Sequence, residues 1–323
     1  MNELFENKEP LKDTALGRGE KSLSGEEQLY LDLFNLVKYS FVSLDKIKIE
    51  NTIDQTIEVF LKDPFSKLLF YSYTVSKENY LIAHITNNVI LSVAFGRSLG
   101  LNKNDLLDLG MCAFGHDFGM AEYIPLFQKV HELTEEENKV IQNHPLKSAE
   151  MFKSLFPEKI INGILDIHEC VNGQGYPSGK TDQDISPLAK IVSVCDIFIA
   201  LTHPRNYRQE YTPYEAMKVI IRKNETVFDR RVVKKFLEFI SIYPVGSLVY
   251  LNTGETALVI SSNPGLPTRS IIQVLLSAKR EVEASHKIIN LGEDNMLYIL
   301  GPVERKEEKE ILSLLKPRGD FNL

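Results

Sequence analysis

Two periodicities divide the chain. Leu29, Leu33, Leu36 and Val37 fall on one helical stripe and Ile53, Ile57 and Phe60 on another, which predicts an N-terminal helical region over 26–79. The same period returns in segment after segment from about 80 to 242. It predicts helices over 82–99, 104–118, 134–153, 157–170, 186–203, 212–223 and 230–242. Gly100 stands where a helix should stop, and Thr134 followed by Glu135, Glu136 and Glu137 has the form of a capped helix start. Beyond Gly246 the texture changes to short β-rich runs, Val249-Tyr250-Leu251, Ala257–Ile260 and Ser270–Leu275. Thr253-Gly254 and Asn263-Pro264-Gly265 punctuate them as turns. The pattern predicts a mainly α protein with a small β-rich appendage over 243–323, ending in a charged tail from Arg305 to Glu310.

Other features narrow the class. Residues 1–25 are charged, contain Gly and Ser, and lack an apolar period, which predicts a flexible lead-in. A length of 323 residues suggests about two domains. The 37 Lys and Arg against 44 Asp and Glu give a net charge of −7, which argues against a nucleic-acid polymer as partner but leaves room for a small anion. No stretch approaches the roughly eighteen uninterrupted apolar residues of a spanning helix, so no membrane span is expected. The N-terminus lacks the pattern of a signal peptide. Cys112, Cys170 and Cys195 are odd in number and scattered, which points to a reducing cytoplasm.

The chemistry lies in isolated acids and imidazoles. His84, His116, Asp117, His144, His168 and Asp196 each fall on or at the end of a predicted helix, and a bundle can converge such residues on one interior point. His168 shares a face with Ile161, Ile164 and Leu165, and Asp196 shares one with Val192 and Ala200, so both should point inward. A buried carboxylate is costly unless paired or bound to metal. Mixed imidazole and carboxylate donors suit iron, manganese, zinc or nickel better than calcium or magnesium. His131, His203 and His286 have no such company and read as structural. No phosphate-binding Gly-x-x-x-x-Gly-Lys-Ser/Thr loop and no Gly-x-Ser-x-Gly elbow occurs.

Two motifs carry a family resemblance. Ala113-Phe114-Gly115-His116-Asp117-Phe118-Gly119 is followed some fifty residues later by His168-Glu169-Cys170-Val171-Asn172-Gly173-Gln174-Gly175-Tyr176-Pro177. With His84-x-x-Asn87-Asn88, Asn143-His144-Pro145, Ile191–Asp196, Arg205-Asn206-Tyr207-Arg208 and Phe228–Leu237, the segment from His84 to Ile242 resembles the HD-GYP family. These are metal-dependent phosphodiesterases of bacterial cyclic-di-GMP signalling. The resemblance implies an HD-type helical bundle over 80–242 and two divalent transition-metal ions, iron or manganese foremost, with zinc or nickel as alternatives. It places His84, His116, Asp117 and Asp196 on one ion, with Asp117 bridging to a second ion held by His144 and His168. His116 and Asp117 would be the catalytic pair, and Gly175, Tyr176, Pro177, Arg205 and Arg208 would contact a cyclic dinucleotide. Hydrolysis to pGpG or GMP would use a metal-activated hydroxide, and a homodimer or a signalling protein would be the partner. The chain departs from the family at Ile167, where a second histidine is usual, and at Met120, Asn172 and Ile199. Tyr80 stands where some members place a carboxylate for a third metal, so a trinuclear centre is not expected. Two alternatives accompany this reading: a non-catalytic cyclic-dinucleotide sensor or interaction module, and a phosphohydrolase for another cyclic nucleotide.

Overall fold

Helix α4 (Tyr80–Ser98) is apolar around nearly its whole circumference, a pattern that a helix sustains only at the centre of a bundle. Every residue from Leu81 to Gly96 is buried. Around it pack α1 (Gly25–Ser40), α2 (Lys46–Lys62), the short α3 (Leu68–Tyr71), α5 (Lys103–Gly115) and α10 (Pro187–Thr202). Helix α5 is backed in turn by α9 (Glu158–Asp166) and, more lightly, by α8 (His144–Phe152). The computed structural model describes residues 23–63, 66–72, 79–127, 129, 132–203, 210–224, 226–263, 265–283 and 287–315. Residues 1–22 of the expected lead-in, the Arg205–Arg208 turn, His131 and His286 lie outside the described residues.

Local chemistry sets the helix ends. Ser24, Asp45 and Asn102 each accept a backbone N–H of the first turn of α1, α2 and α5, contacts worth about 1 kcal/mol apiece. Gly100 adopts φ 80° just after α4, as its place in the sequence predicts. Thr134 and Glu137 form the anticipated capping box of α7 (Glu135–Ile141). Three predicted spans nevertheless break where the chemistry sits. The helix expected to reach 118 ends at Gly115, and a 3-10 turn follows over Phe118–Tyr123, leading into α6 (Ile124–Phe127). His116 and Asp117 occupy the junction between α5 and that turn. The span expected over 134–153 divides into α7 and α8, because Pro145 in the first turn of α8 has no N–H for a continuous ladder. The span expected to reach 170 stops at Asp166, leaving His168 just beyond the end of α9.

The described residues group into two units. One runs to Glu210 and adds Lys223–Val232; the other comprises Tyr211–Arg222 and continues from Val233. The second unit contains α11 (Pro213–Arg222), most of α12 (Arg230–Ile240) and an antiparallel sheet ordered β4-β3-β2-β1-β5. Its strands are β1 (Leu248–Leu251), β2 (Thr256–Ser261), β3 (Ile271–Leu276), β4 (Ile288–Asn290) and β5 (Ile299–Pro302). Side chains alternate between two buried clusters. Val249, Leu251, Ala257, Val259, Ile272 and Val274 face one side, and Leu248, Leu258 and Leu275 face the other. The expected charged tail is in fact helix α13 (Arg305–Leu315). Its Ile311 joins the second cluster, and its Glu307 accepts from Tyr250 Oη at 2.6 Å and pairs with Arg280 at 3.0 Å.

Candidate metal centre

Five segments of the first unit deliver the six predicted ligands. His84 comes from α4, His116 and Asp117 from the junction after α5, His144 from the first turn of α8, His168 from just past α9, and Asp196 from α10. They form two triads, His84–His116–Asp196 and Asp117–His144–His168, and within each the donor atoms lie within 4.8 Å of one another. In the first, His84 Nε2 is 2.8 Å and His116 Nε2 3.7 Å from Asp196 Oδ1. In the second, His144 Nε2 is 2.9 Å from His168 Nε2 and 3.3 Å from Asp117 Oδ1. The other oxygen of Asp117, Oδ2, lies 3.5 Å from His84 Nε2 and 3.8 Å from His116 Nε2. One carboxylate therefore faces both triads.

Two of the imidazoles are pinned in the same way. His116 Nδ1 donates to the Ala113 carbonyl at 2.7 Å and His144 Nδ1 to the Ile141 carbonyl at 2.9 Å, each three residues back. A carbonyl only accepts, so in both rings Nε2 is left to face the centre, the arrangement by which outer partners orient metal ligands. Four Nε2 atoms and the carboxylate oxygens of Asp117 and Asp196 thus converge with little to satisfy them except one another, and this donor set fits a divalent cation. Electrostatics agree with the geometry. Burial alone would lower the His116 imidazole, but the Asp117 and Asp196 carboxylates outweigh it and raise the ring to about 9. Burial opposes ionisation of Asp117 and Asp196, yet the surrounding imidazoles hold both well below the usual carboxylate range. At His168 burial and the nearby His144 act together and lower the ring to about 4. The second triad therefore offers a neutral His168 at pH 7, while the first holds a proton that an entering cation must displace.

Comparisons with known proteins agree with this geometry. Residues 74–232 match the HD domain family, and residues 248–311 match a KOW domain associated with HD domain. The chain is 28% identical over 253 residues to the cyclic di-GMP phosphodiesterase PA4108 of Pseudomonas aeruginosa, covering 77% of this chain and 61% of that one. It is 31% identical over 195 residues to the cyclic di-GMP phosphodiesterase PdeB of Borreliella burgdorferi, covering 58% and 51%. The matches thus span only 61% and 51% of these curated relatives' own lengths. The fold resembles that of Bd1817, a solved HDG"Y"P protein of Bdellovibrio bacteriovorus, with a TM-score of 0.56 at 18% identity over 69% of this chain and 74% of that one. The chain carries an HD domain. An HD domain implies divalent-metal binding, and the two triads are the candidate ligand groups for it among the described residues.

The loop bearing Gly175, Tyr176 and Pro177 is tied to the candidate ligand His168 beside it. Buried Glu169 accepts the backbone N–H groups of Ser178 at 2.7 Å and Lys180 at 2.9 Å. Tyr176 donates its N–H to the His168 carbonyl at 3.1 Å, and its ring stacks on the His168 ring at 5.0 Å and 18°. A Cβ on Gly175 would run into the backbone of Glu169 and Cys170, so this close approach requires glycine. Pro177 follows Tyr176 in the same loop. The HD junction is clamped from α8. Ser148 Oγ donates to the His116 carbonyl at 2.7 Å and accepts the Gly119 N–H at 2.8 Å, and a Cβ on Gly119 would meet the His144 carbonyl. Phe118 packs edge-on against Phe152 of α8 at 5.1 Å, holding the same junction.

The departures take ordinary structural places. Ile167 and Ile199 are buried in the core, Asn172 Oδ1 accepts the Gln174 N–H at 3.1 Å within the loop, and Tyr80 stacks on His84 at 5.7 Å. His203 is buried with its Nε2 3.4 Å from Asn87 Nδ2. Arg205 and Arg208 lie outside the described residues. Sequence reasoning missed the supporting roles of Ser148 and Glu169 and the approach of Asn88 Nδ2 to His116 Nε2 at 3.2 Å. The available signal was a polar residue on an otherwise apolar buried face, one turn from a ligand in the case of Ser148 and Asn88.

Proposed function

We propose that the protein is a metal-dependent phosphodiesterase that hydrolyses cyclic di-GMP to pGpG or GMP. The observation that carries this reading is the Asp117 carboxylate, one oxygen toward each triad, beside the loop that bears Tyr176. On this reading His84, His116, Asp117 and Asp196 hold one ion and Asp117, His144 and His168 hold a second. Iron or manganese suits these nitrogen and oxygen donors best, with zinc or nickel as alternatives. Bound divalent ions supply positive charge that lowers the pKa of water to about 7 and draws electron density from a phosphodiester oxygen.

The chain's own residues do the rest. Asp117 keeps the two sides in register, and His116 and His144, fixed through Nδ1, present Nε2 without reorienting. The neutral His168 adds a donor without adding charge to a site that must accept a phosphate anion. Gly175, Tyr176 and Pro177 are assigned to the dinucleotide, with the Tyr176 ring against His168 and its phenol suited to meet a guanine base. Arg205 and Arg208 are assigned to phosphate through bidentate, charge-assisted contacts. Three free cysteines fit a cytoplasmic setting.

Protein purified without oxygen and supplied with Fe(II) or Mn(II) should turn over cyclic di-GMP. Tight binding of cyclic di-GMP with no turnover would replace the enzyme reading with that of a sensor, and Ile167, buried where the family usually offers another imidazole, is the feature that favours that second reading. Preferential hydrolysis of a different cyclic nucleotide would overturn the substrate assignment and keep the reaction.

A further inference from the structure

Asn88 lies one helical turn beyond His84 on α4, and both are buried. Its amide Nδ2 is 3.2 Å from His116 Nε2, the nitrogen that also faces Asp196 and Asp117. The other end of the amide, Oδ1, accepts from Ser92 Oγ at 3.0 Å, one turn further along. A carboxamide is an expensive choice on a helix face where its neighbours Ile85, Leu91 and Phe95 are fully buried, and leucine would fill the same volume without polar atoms to satisfy. Its inner end has a single kind of neighbour to serve, the metal triad.

The orientation with Nδ2 on Nε2 suits the deprotonated His116 ring that a metal ligand must be, whose Nε2 offers a bare lone pair. Once Nε2 is shared with a positive partner, an N–H at that place is repelled and a carbonyl oxygen is attracted. The terminal torsion of asparagine is broad and roughly two-fold, so exchange of the two ends needs no backbone movement. The Ser92 hydroxyl both donates and accepts, so it satisfies whichever end turns outward. We propose that Asn88 belongs to the metal centre: when a divalent cation enters the His84–His116–Asp196 triad, the amide turns and presents Oδ1 as an additional neutral oxygen donor. This rests on the reading of that triad as a metal site. It extends a set of two imidazoles and one or two carboxylates by a hard oxygen, without adding charge.

Cobalt(II) is the probe, since its absorption bands report coordination number and ligand type independently of turnover. Asn88→Leu should bind the first Co(II) equivalent about 10–100-fold more weakly and with a changed visible spectrum, the size of effect seen when a supporting partner of a metal site is lost. Asn88→Asp retains an oxygen and should bind at least as tightly as the parent, with a spectrum shifted by the new carboxylate. Ser92→Ala keeps the amide but loosens it, and should weaken binding less than Asn88→Leu does, by about tenfold at most, the low end of such effects. An unchanged affinity and spectrum in folded Asn88→Leu overturns the proposal. If that variant fails to fold, an Asn88→Asp spectrum identical to the parent overturns it equally. The parent reading fails differently: the unaltered protein would then bind no Co(II), or His84→Ala would bind it as well as the parent.

Discussion

At the scale of single residues, Asp117 and His116 make the sharpest predictions. Because Asp117 faces both triads, Asp117→Ala should weaken both ions at once, whereas His168→Ala should spare the first; metal analysis after gel filtration distinguishes them. Two ions fully retained without Asp117 would refute the shared carboxylate. His116 sets a pH dependence. Its ring, raised to about 9, carries a proton at neutral pH when no cation is present, and a ligand must give that proton up. Binding therefore releases a proton below pH 9, so apparent affinity should rise with pH, by about tenfold per unit between pH 6 and 8, and flatten above 9. Competition with a chelator across that range measures it. The convergence of the six candidate ligands was legible in the sequence because several imidazoles and acids fall together on inward or terminal helix positions in a recognisable order. Asn88 was not, since an amide on such a face satisfies itself in many ways and its meaning depends on the His116 ring 28 positions away.

Among the elements, the junctions matter more than the helices they join. Ser148 of α8 holds the turn carrying His116 and Asp117 through two buried hydrogen bonds. Ser148→Ala leaves a carbonyl and an N–H unpaired, which should cost about 1–3 kcal/mol of stability in denaturant melts and weaken metal binding with it. Gly175→Ala should act elsewhere, because its methyl would displace the Tyr176 loop from the Glu169 backbone. Its expected signature is a raised KM for the dinucleotide with metal content unchanged; loss of metal instead would place the loop inside the ligand set. Periodicity revealed nearly every long helix, since each buries one continuous stripe. It failed in several places for local reasons. Pro145 divides a stripe that otherwise continues, β4 and β5 are too short to show alternation, and α13 has its Glu307 engaged by Tyr250 and Arg280, which composition alone cannot show.

For the molecule as a whole, the centre draws on five segments of one unit and on none of the sheet residues of the other. Chelation should therefore lower the melting temperature of the helical unit and leave the sheet unit unmoved. An ion held at a hundred times its dissociation constant contributes about 2.7 kcal/mol to whatever it binds. Hydrogen exchange resolved along the chain would show it, and equal loss of protection in β1–β3 would contradict it. His84 and Asp196 meet at 2.8 Å although 112 positions separate them. Regarded as a polymer, the chain must close a ring of that length before these donors stand together, at an entropic cost of about 4 kcal/mol on the logarithmic scale for flexible loops. A partly folded chain, with its long-range contacts still unmade, offers only isolated imidazoles and acids that hold metal weakly. Scarce iron or manganese in the cell would then be shared out among finished molecules alone, and metal occupancy would serve as a running count of completed folding.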